Sequence, residues 1–126
     1  MSKFAGKTAV ISGGAEGIGF SIAQALGAQK MNIVIADIDE KNLEKAGLEL
    51  EASGIPVLTV ALDVAIENQW QEVADQAVVR FGKVHMLVNN AGVGGETGPL
   101  ESQDKNGWQW TLDVNLMGVV YGAKVM

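Results

Sequence analysis

The sequence lacks cysteine altogether and contains a single histidine, His85. Without cysteine there can be no disulfide bond, no thiolate metal site and no cysteine nucleophile. One histidine likewise excludes a metal site built from several imidazoles, so we predict no metal ion, and a Ser-His-Asp triad would have to use His85. We interpret His85, which falls within an apolar segment, as a structural or edge residue in the middle of a strand and not as a catalyst.

Cations and long apolar segments are also scarce. The chain carries 9 lysines and arginines against 15 aspartates and glutamates, a net charge of −6. Because phosphate contacts need clustered cations, this balance argues against a nucleic-acid-binding protein. No apolar segment approaches the ~20 residues of a membrane span, and the N-terminus lacks the apolar stretch of a signal peptide. Together with the missing cysteine, this favours a soluble cytoplasmic protein without a membrane partner.

Proline is rare, whereas glycine is abundant. There are 2 prolines but 16 glycines among 126 residues, well above the ~7% glycine of an average protein. No low-complexity segment accounts for these glycines, so we expect several of them to serve particular backbone positions.

Four short apolar segments alternate with longer amphipathic ones. The apolar segments predict buried strands at Thr8–Ile11, Asn32–Ala36, Val57–Leu62 and Val84–Val88. Apolar residues at helical spacing predict helices at Gly17–Gln29, Glu40–Ser53, Ile66–Phe81 and from about Gln103 onwards. Near-continuous apolar strands are typical of a parallel sheet covered on both faces. The sequence therefore predicts an α/β fold with a doubly wound parallel sheet, a Rossmann-like αβα sandwich.

A glycine-rich segment follows the first predicted strand directly. Gly13, Gly17 and Gly19 have the spacing G-x-x-x-G-x-G between that strand and the next helix. Glycines at these positions permit a tight turn and let a pyrophosphate approach the backbone, while the helix N-terminus offers N–H groups to the anion. The alternative is an ordinary glycine-rich turn between strand and helix.

An aspartate, Asp37, ends the second predicted strand, 18 residues after Gly19. A carboxylate at this position can accept hydrogen bonds from both hydroxyls of an adenosine ribose. Alternatively, Asp37 could cap the next helix, a role that Asp39 could also fill. The ribose role favours NAD over NADP, because a 2′-phosphate would face Asp37 and the next residue is Ile38 instead of an arginine. Glu16, within the glycine-rich segment, is acidic as well.

The third and fourth predicted strands end in two further signals. Asp63 and Val64 follow the third strand, where a carboxylate can accept a hydrogen bond from the adenine amino group, although a helix-capping aspartate is an equal alternative. The fourth strand ends in Asn89-Asn90-Ala91-Gly92. Asparagine amides can hold a loop backbone in place, and small residues leave room for a cofactor.

These four strand ends, with Asp113-Val114-Asn115-Leu116 further on, resemble the short-chain dehydrogenase/reductase family from about Lys7 to the last residue. Ser12 departs from the family's usual threonine but keeps the hydroxyl. The resemblance implies a nicotinamide dinucleotide bound at the sheet edge. It implies the pyrophosphate at Gly13, Gly17, Ile18 and Gly19; the ribose at Asp37; the adenine at Asp63 and Val64; and the adenosine and ribose side at Asn90, Ala91 and Gly92. It also implies that Asn115 is the helix-kink asparagine, which positions a water in the proton relay.

The family's catalytic tyrosine, lysine and serine would come after Asn115, with the tyrosine and lysine spaced Y-x-x-x-K. Here the only tyrosine, Tyr121, is followed by Lys124 at a spacing of three, so we interpret both as ordinary helix residues. Ser102 belongs to the loop before the last helix. We therefore expect residues 1–126 to be the N-terminal, cofactor-binding half of a domain, with about four strands of a sheet of about seven, and to be inactive alone.

The resemblance implies an oxidoreductase that transfers a hydride between NAD(H) and a secondary alcohol or ketone. It further implies a small alcohol or carbonyl compound as substrate and a homo-oligomeric assembly. One alternative is a non-catalytic module that binds a dinucleotide, and another is an interaction domain with a degenerate site.

Overall fold

The computed structural model describes residues 3–92, 109 and 112–126. It contains a four-stranded parallel sheet with the strand order β3-β2-β1-β4. The elements in chain order are β1 Thr8–Ser12, α1 Gly17–Ala28, β2 Asn32–Asp37, α2 Glu40–Ala52, β3 Val57–Ala61, α3 Glu67–Phe81, β4 Met86–Asn89, a π-helical turn Asp113–Met117 and α4 Gly118–Val125. The predicted α/β class and the parallel sheet are confirmed.

The central strands β1 and β2 are buried, as their unbroken apolar sequences predict. Every residue of β1 is buried, and so are the four inner residues of β2. The two strands pair in parallel, with Val10 opposite Val34 and Ile11 opposite Ile35. Burial on both faces requires a covering layer on each side of the sheet.

Successive residues of β1 and β2 supply two separate apolar cores. Ile11, Ile33 and Ile35 pack on one face with Leu43 and Leu50 of α2. On the opposite face, Val10, Val34 and Ala36 pack with Trp70 and Val73 of α3 and with residues of α4. Because side chains alternate between the faces of a strand, the sheet lies between the two layers of helices. This is the doubly wound arrangement expected from the sequence.

The fourth strand begins later than predicted. It starts at Met86, so His85 precedes the strand, and its predicted place in mid-strand is wrong. The buried Thr8 N–H donates to His85 Nδ1 at 3.0 Å, and the His85 N–H donates to the Thr8 carbonyl oxygen at 2.9 Å. The imidazole replaces a main-chain acceptor at the beginning of β1, which is a structural role as expected.

The last predicted helix is described only in part. Residues 103–108 lie outside the described residues, and the described stretch from Leu112 is interrupted by the π-helical turn before α4 begins. Two glycines of α4 allow close packing, since a Cβ on Gly118 would lie 2.9 Å from Val64 Cγ2 and one on Gly122 would lie 2.8 Å from Trp70 Cη2. Helix α4 therefore lies directly against α3 and the loop before it.

The strand order creates a cleft at one edge of the sheet. The chain passes outward from β1 to β2 and β3 and then returns to place β4 on the other side of β1. The strand order therefore changes direction between β1 and β4. In open α/β sheets this is the position at which ligands bind.

Candidate functional site

A cavity of about 370 Å³ lies at the carboxyl ends of the strands. This volume is within the range of small-molecule sites in proteins. Residues from the loops after all four strands and from the π-helical turn line it: Gly13, Glu16, Asp37, Ile38, Leu62, Asp63, Val64, Ala65, Asn90, Ala91, Gly92, Asp113 and Val114. Four of these lining residues are acidic and none is lysine or arginine.

The glycine-rich segment forms the turn from β1 into α1. Gly13 and Gly17 have φ angles of +65° and +60°, which residues with a Cβ rarely adopt. A Cβ on Gly19 would collide with the Gly13 carbonyl oxygen, so this position needs glycine because the turn folds tightly over the start of the helix. A Cβ on Gly17 would meet no atom of the described residues within 4 Å. The backbone at Gly17 therefore faces open space beside the N–H groups of the first turn of α1.

Asn90 joins the loop after β4 to the glycine turn. Its Nδ2 donates to the Gly13 carbonyl oxygen at 3.0 Å. The buried Ser12 hydroxyl accepts from the N–H groups of Asn90 and Ala91 at 3.1 and 3.2 Å. The structure thus places an asparagine amide on a loop backbone, as the sequence predicts, and shows why a hydroxyl is needed at position 12.

Asp37 faces the cavity from the end of β2, and both of its carboxylate oxygens accept main-chain hydrogen bonds. Oδ2 accepts from the Ala15 N–H at 3.2 Å and Oδ1 from the Asp39 N–H at 3.1 Å. The N-cap of α2 is Asp39, whose Oδ1 accepts from the Asn42 N–H at 3.0 Å. The alternative role of Asp37 as the helix cap is therefore wrong. The bonds from Ala15 and Asp39 fix the orientation of the carboxylate, and each oxygen retains a second lone pair.

Asp63 and Val64 form the cavity wall after β3. Asp63 Oδ1 accepts from the Ala65 N–H at 3.0 Å, and the Asp63 N–H donates to Gln69 Oε1 at 2.7 Å. The indole N–H of Trp70 donates to the Val64 carbonyl oxygen at 3.0 Å. Asp63 closes a tight turn and is not the N-cap of α3, which is Ile66. This wall is therefore held by α3 from behind.

Asn115 lies in the π-helical turn, outside the set of residues that line the cavity. A Cβ on Gly92 would lie 3.3 Å from Asn115 Oδ1, so the asparagine amide is next to the loop after β4. Single π-helical turns occur often at functional sites. The amide therefore lies close to the cavity although it does not form its wall.

The predicted site residues fall into two groups. Those that line the cavity are Gly13, Asp37, Asp63, Val64, Asn90, Ala91 and Gly92, whereas Gly17, Ile18, Gly19 and Asn115 lie beside it. Ile18 is 74% exposed at the start of α1, where a bound ligand could cover it. Leu62 and Ala65 also line the cavity and were not predicted. The position of Ala65, two residues after Asp63 at a strand end, is a signal that could have indicated it, whereas Leu62 resembles any apolar strand residue.

Tyr121 and Lys124 are not among the residues that line the cavity. Tyr121 of α4 is partly buried and packs against the apolar core that α3 and the sheet form. Lys124 Nζ donates to Glu67 Oε1 at 2.7 Å on the surface, and this hydrogen bond raises the pKa of Lys124 above its usual value. Both side chains therefore have structural surroundings in α4.

Neither a membrane-spanning helix nor a metal site occurs in the part of the chain that the structure describes. None of the helices in residues 3–92, 109 and 112–126 is long and apolar enough to cross a membrane. Within the same residues, no group of three or more histidine, cysteine, aspartate or glutamate side chains is arranged to hold a metal ion.

Known proteins share both the sequence and the fold. The 3-alpha-(or 20-beta)-hydroxysteroid dehydrogenase of Mycobacterium bovis is 39% identical over 121 residues, which cover 96% of this chain and 45% of that protein. A short chain dehydrogenase/reductase of Burkholderia phymatum in complex with NAD matches with a TM-score of 0.95 and 43% identity, over 99% of this chain and 44% of that one. A metagenomic short-chain oxidoreductase in complex with NADP matches with a TM-score of 0.91 and 29% identity, over 98% and 56% of the two chains.

Each match covers nearly all of this chain but less than half of the curated relative. The chain spans 40–46% of the length of several curated relatives, whereas at least 95% of this chain is covered by them. A sequence model of the short chain dehydrogenase family matches residues 7–126. The chain therefore belongs to the short-chain dehydrogenase/reductase family of oxidoreductases.

Proposed function

We propose that this chain binds NAD in the cavity at the strand ends and supplies the cofactor half of an oxidoreductase site. The observation that carries the proposal is Asp37, which lines the cavity with a carboxylate fixed by two main-chain N–H donors. A carboxylate held in this way can accept hydrogen bonds from the ribose hydroxyls without reorganising. The family alone leaves the choice between NAD and NADP open, and Asp37 favours NAD because a 2′-phosphate would face its charge.

The residues around the cavity fit a dinucleotide. Gly17 leaves open space in front of its backbone, next to the N-terminus of α1, and this space suits a pyrophosphate. Ile18 is exposed at the same helix end, next to the space for the pyrophosphate. Val64 lines the cavity, where its side chain offers an apolar contact to an adenine. We assign the adenine to Asp63 and Val64 and the pyrophosphate to Gly13, Gly17, Ile18 and Gly19. Asn90, Ala91 and Gly92 then complete the adenosine and ribose side.

For the whole protein we propose hydride transfer between the cofactor and a secondary alcohol or ketone of a small molecule. When bound, the nicotinamide ring supplies the hydride acceptor or donor. Asn115 is assigned to hold a water of the proton relay, since its amide lies beside Gly92 at the cavity and can both donate and accept a hydrogen bond. The hydroxysteroid dehydrogenase relative supports a secondary alcohol as the class of substrate.

Replacement of Asp37 tests the cofactor assignment. We expect Asp37→Ala to weaken NAD binding roughly tenfold to a hundredfold, because charge-assisted hydrogen bonds of about 1.5–3 kcal/mol are lost. Dissociation constants for NADH, followed by its fluorescence, give the measurement. The control is Asp75→Ala, which removes an exposed aspartate of α3. The Oδ1 of Asp75 accepts a hydrogen bond from Gln71 Nε2, and Asp75 is not among the residues that line the cavity. Equal affinity of the Asp37→Ala and wild-type chains for NADH, or a wild-type preference for NADP, would contradict the assignment.

A second function, dinucleotide binding without turnover, is favoured for the chain itself by the surroundings of Tyr121 and Lys124. Tyr121 packs in the core and Lys124 pairs with Glu67, so neither is available at the cavity. A chain that binds NADH but does not oxidise it with any ketone would fit this function. Turnover by the 126-residue chain would exclude it.

A further inference from the structure

Carboxylates are concentrated on one wall of the cavity, where the glycine turn meets the loop after β2. Glu16 and Asp37 both line the cavity there. Asp39 follows closely, because its N–H donates to Asp37 Oδ1 at 3.1 Å. We call Glu16, Asp37 and Asp39 the acidic wall. Asp37 belongs to the end of β2, whereas Glu16 comes from the start of α1, so the wall is assembled from two loops.

Asn42 of α2 bridges these two loops. Its Nδ2 donates to Glu16 Oε2 and to Asp39 Oδ2, both at 3.1 Å. A side-chain amide has two N–H hydrogens, so one asparagine can hold two carboxylates at once. Asn42 and Glu16 are 26 positions apart in the sequence, and their hydrogen bond keeps the Glu16 carboxylate beside the N-terminus of α2. Without that bond the exposed Glu16 side chain would be free to turn into solvent.

In the described part of the chain, no lysine or arginine forms an ion pair with the acidic wall. Among residues 3–92, 109 and 112–126, the ion pair found is that of Lys124 with Glu67, away from this wall. Ile38, which lies between the two aspartates in sequence, is 70% exposed at the cavity and adds no charge. Carboxylates that face a cavity without a counter-ion produce a negative potential there.

We infer that Asn42 is a positioning residue for cofactor selection. By holding Glu16 at the cavity that Asp37 also lines, it adds a second carboxylate to the barrier that a 2′-phosphate on the adenosine ribose would meet. The inference rests on the proposed NAD site. Its consequence is that selection against NADP is shared between Glu16 and Asp37, so that removal of the Asp37 charge alone leaves part of the selection in place.

The test compares dissociation constants for NAD and NADP in a matched set of variants. We expect Glu16→Gln to shift the ratio of the two constants towards NADP by roughly threefold to tenfold, the size of a charge effect at the protein surface. Asn42→Ala should shift the ratio in the same direction by a smaller factor. In the Glu16→Gln background, Asn42→Ala should shift the ratio by less than it does alone, because the Glu16 charge that Asn42 positions is already gone. High salt should reduce the Glu16→Gln effect.

Glu49→Gln, which removes an exposed carboxylate elsewhere on α2, is the control and should leave the ratio unchanged. An unchanged ratio in Glu16→Gln would overturn the inference while leaving the NAD site intact, provided that Asp37→Ala still weakens NAD binding. If Asn42→Ala weakens NAD and NADP equally, Asn42 has a structural role only and its positioning role is excluded. If the wild-type chain binds no NAD, the proposed function fails and this inference fails with it.

Discussion

At the scale of single residues, the Gly13 carbonyl oxygen connects the glycine turn to the loop after β4. It accepts from Asn90 Nδ2, and it would be the first atom to meet a Cβ on Gly19. The same small space thus contains an asparagine amide, a carbonyl oxygen and a helix backbone. A methyl group added there has no free space, because the Asn90 amide and the Gly13 carbonyl oxygen are hydrogen-bonded to each other.

Gly19→Ala is therefore expected to destabilise the chain. Helix propensity alone would make alanine more stable than glycine in α1 by about 0.5–1 kcal/mol. The collision with Gly13 and Asn90 outweighs this gain, and we expect a net loss of about 1–3 kcal/mol in the free energy of unfolding. Urea denaturation followed by circular dichroism measures it. A gain in stability would show that the turn can relax around the methyl group.

Much of the site could be predicted at the residue scale because the strand ends bring together residues that local sequence already marks. The glycine spacing, Asp37 and Asn90 are local signals, and each lies where the predicted sheet would put it. The choice between Asp37 and Asp39 as helix cap could not be made from sequence, since both are acceptors near the start of α2. The bridge from Asn42 to Glu16 could not be predicted either, because it depends on how two loops meet in space.

At the scale of elements, the position of α4 depends on its close contact with α3, which the glycines of α4 permit. Gly122 lies against the indole of Trp70, which is fully buried and bonded through its N–H to the Val64 carbonyl oxygen. The indole therefore cannot move aside.

The positions of most strands and helices could be predicted from the spacing of apolar residues. The π-helical turn at Asp113–Met117 could not be predicted, because one extra residue in a turn leaves the apolar pattern almost unchanged. The late start of β4 was missed because His85 supplies an acceptor that a strand residue would otherwise supply.

Gly122→Ala should separate α4 from α3. The added Cβ would lie 2.8 Å from Trp70 Cη2 and 3.0 Å from Asn89 Oδ1, so we expect a loss of about 1–3 kcal/mol in the free energy of unfolding. The neighbouring Ala123→Val change, at an exposed position of the same helix, is the matched control and should cost far less. A gain in stability of Gly122→Ala would show that the higher helix propensity of alanine outweighs the contact with Trp70.

At the scale of the whole molecule, the cavity draws residues from both helical layers and from all four strand ends. A ligand that contacts these loops together binds the folded chain and not the unfolded one. The excess of acidic residues in the sequence is also found at the cavity, where four of the lining residues carry carboxylates. Among the described residues, the main-chain N–H groups of the glycine turn are the donors that suit an anion at the cavity.

Saturating NAD should accordingly raise the thermal unfolding midpoint of the chain. A free concentration of one hundred times the dissociation constant stabilises a folded protein by about 2.7 kcal/mol, which corresponds to a shift of several degrees at this size. Differential scanning calorimetry at increasing NAD gives the measurement. Asp37→Ala should show a smaller shift at the same NAD concentration. A midpoint that does not depend on NAD would contradict binding at the cavity.

The hydrogen bond between the Ser12 hydroxyl and the Asn90 N–H has a consequence for the order of folding. It joins residues 78 positions apart, whereas neighbouring strands β1 and β2 are linked by contacts such as that of Asn32 with Thr8, only 24 positions apart. Contacts between distant parts of a chain form later, since closing the longer loop costs more entropy. The central strands can thus pair while the glycine turn still lacks its hydrogen bonds to the loop after β4. During refolding, the hydrogen bonds that Asn90 makes with Ser12 and Gly13 should therefore form after the sheet has begun to form, when β4 docks against β1.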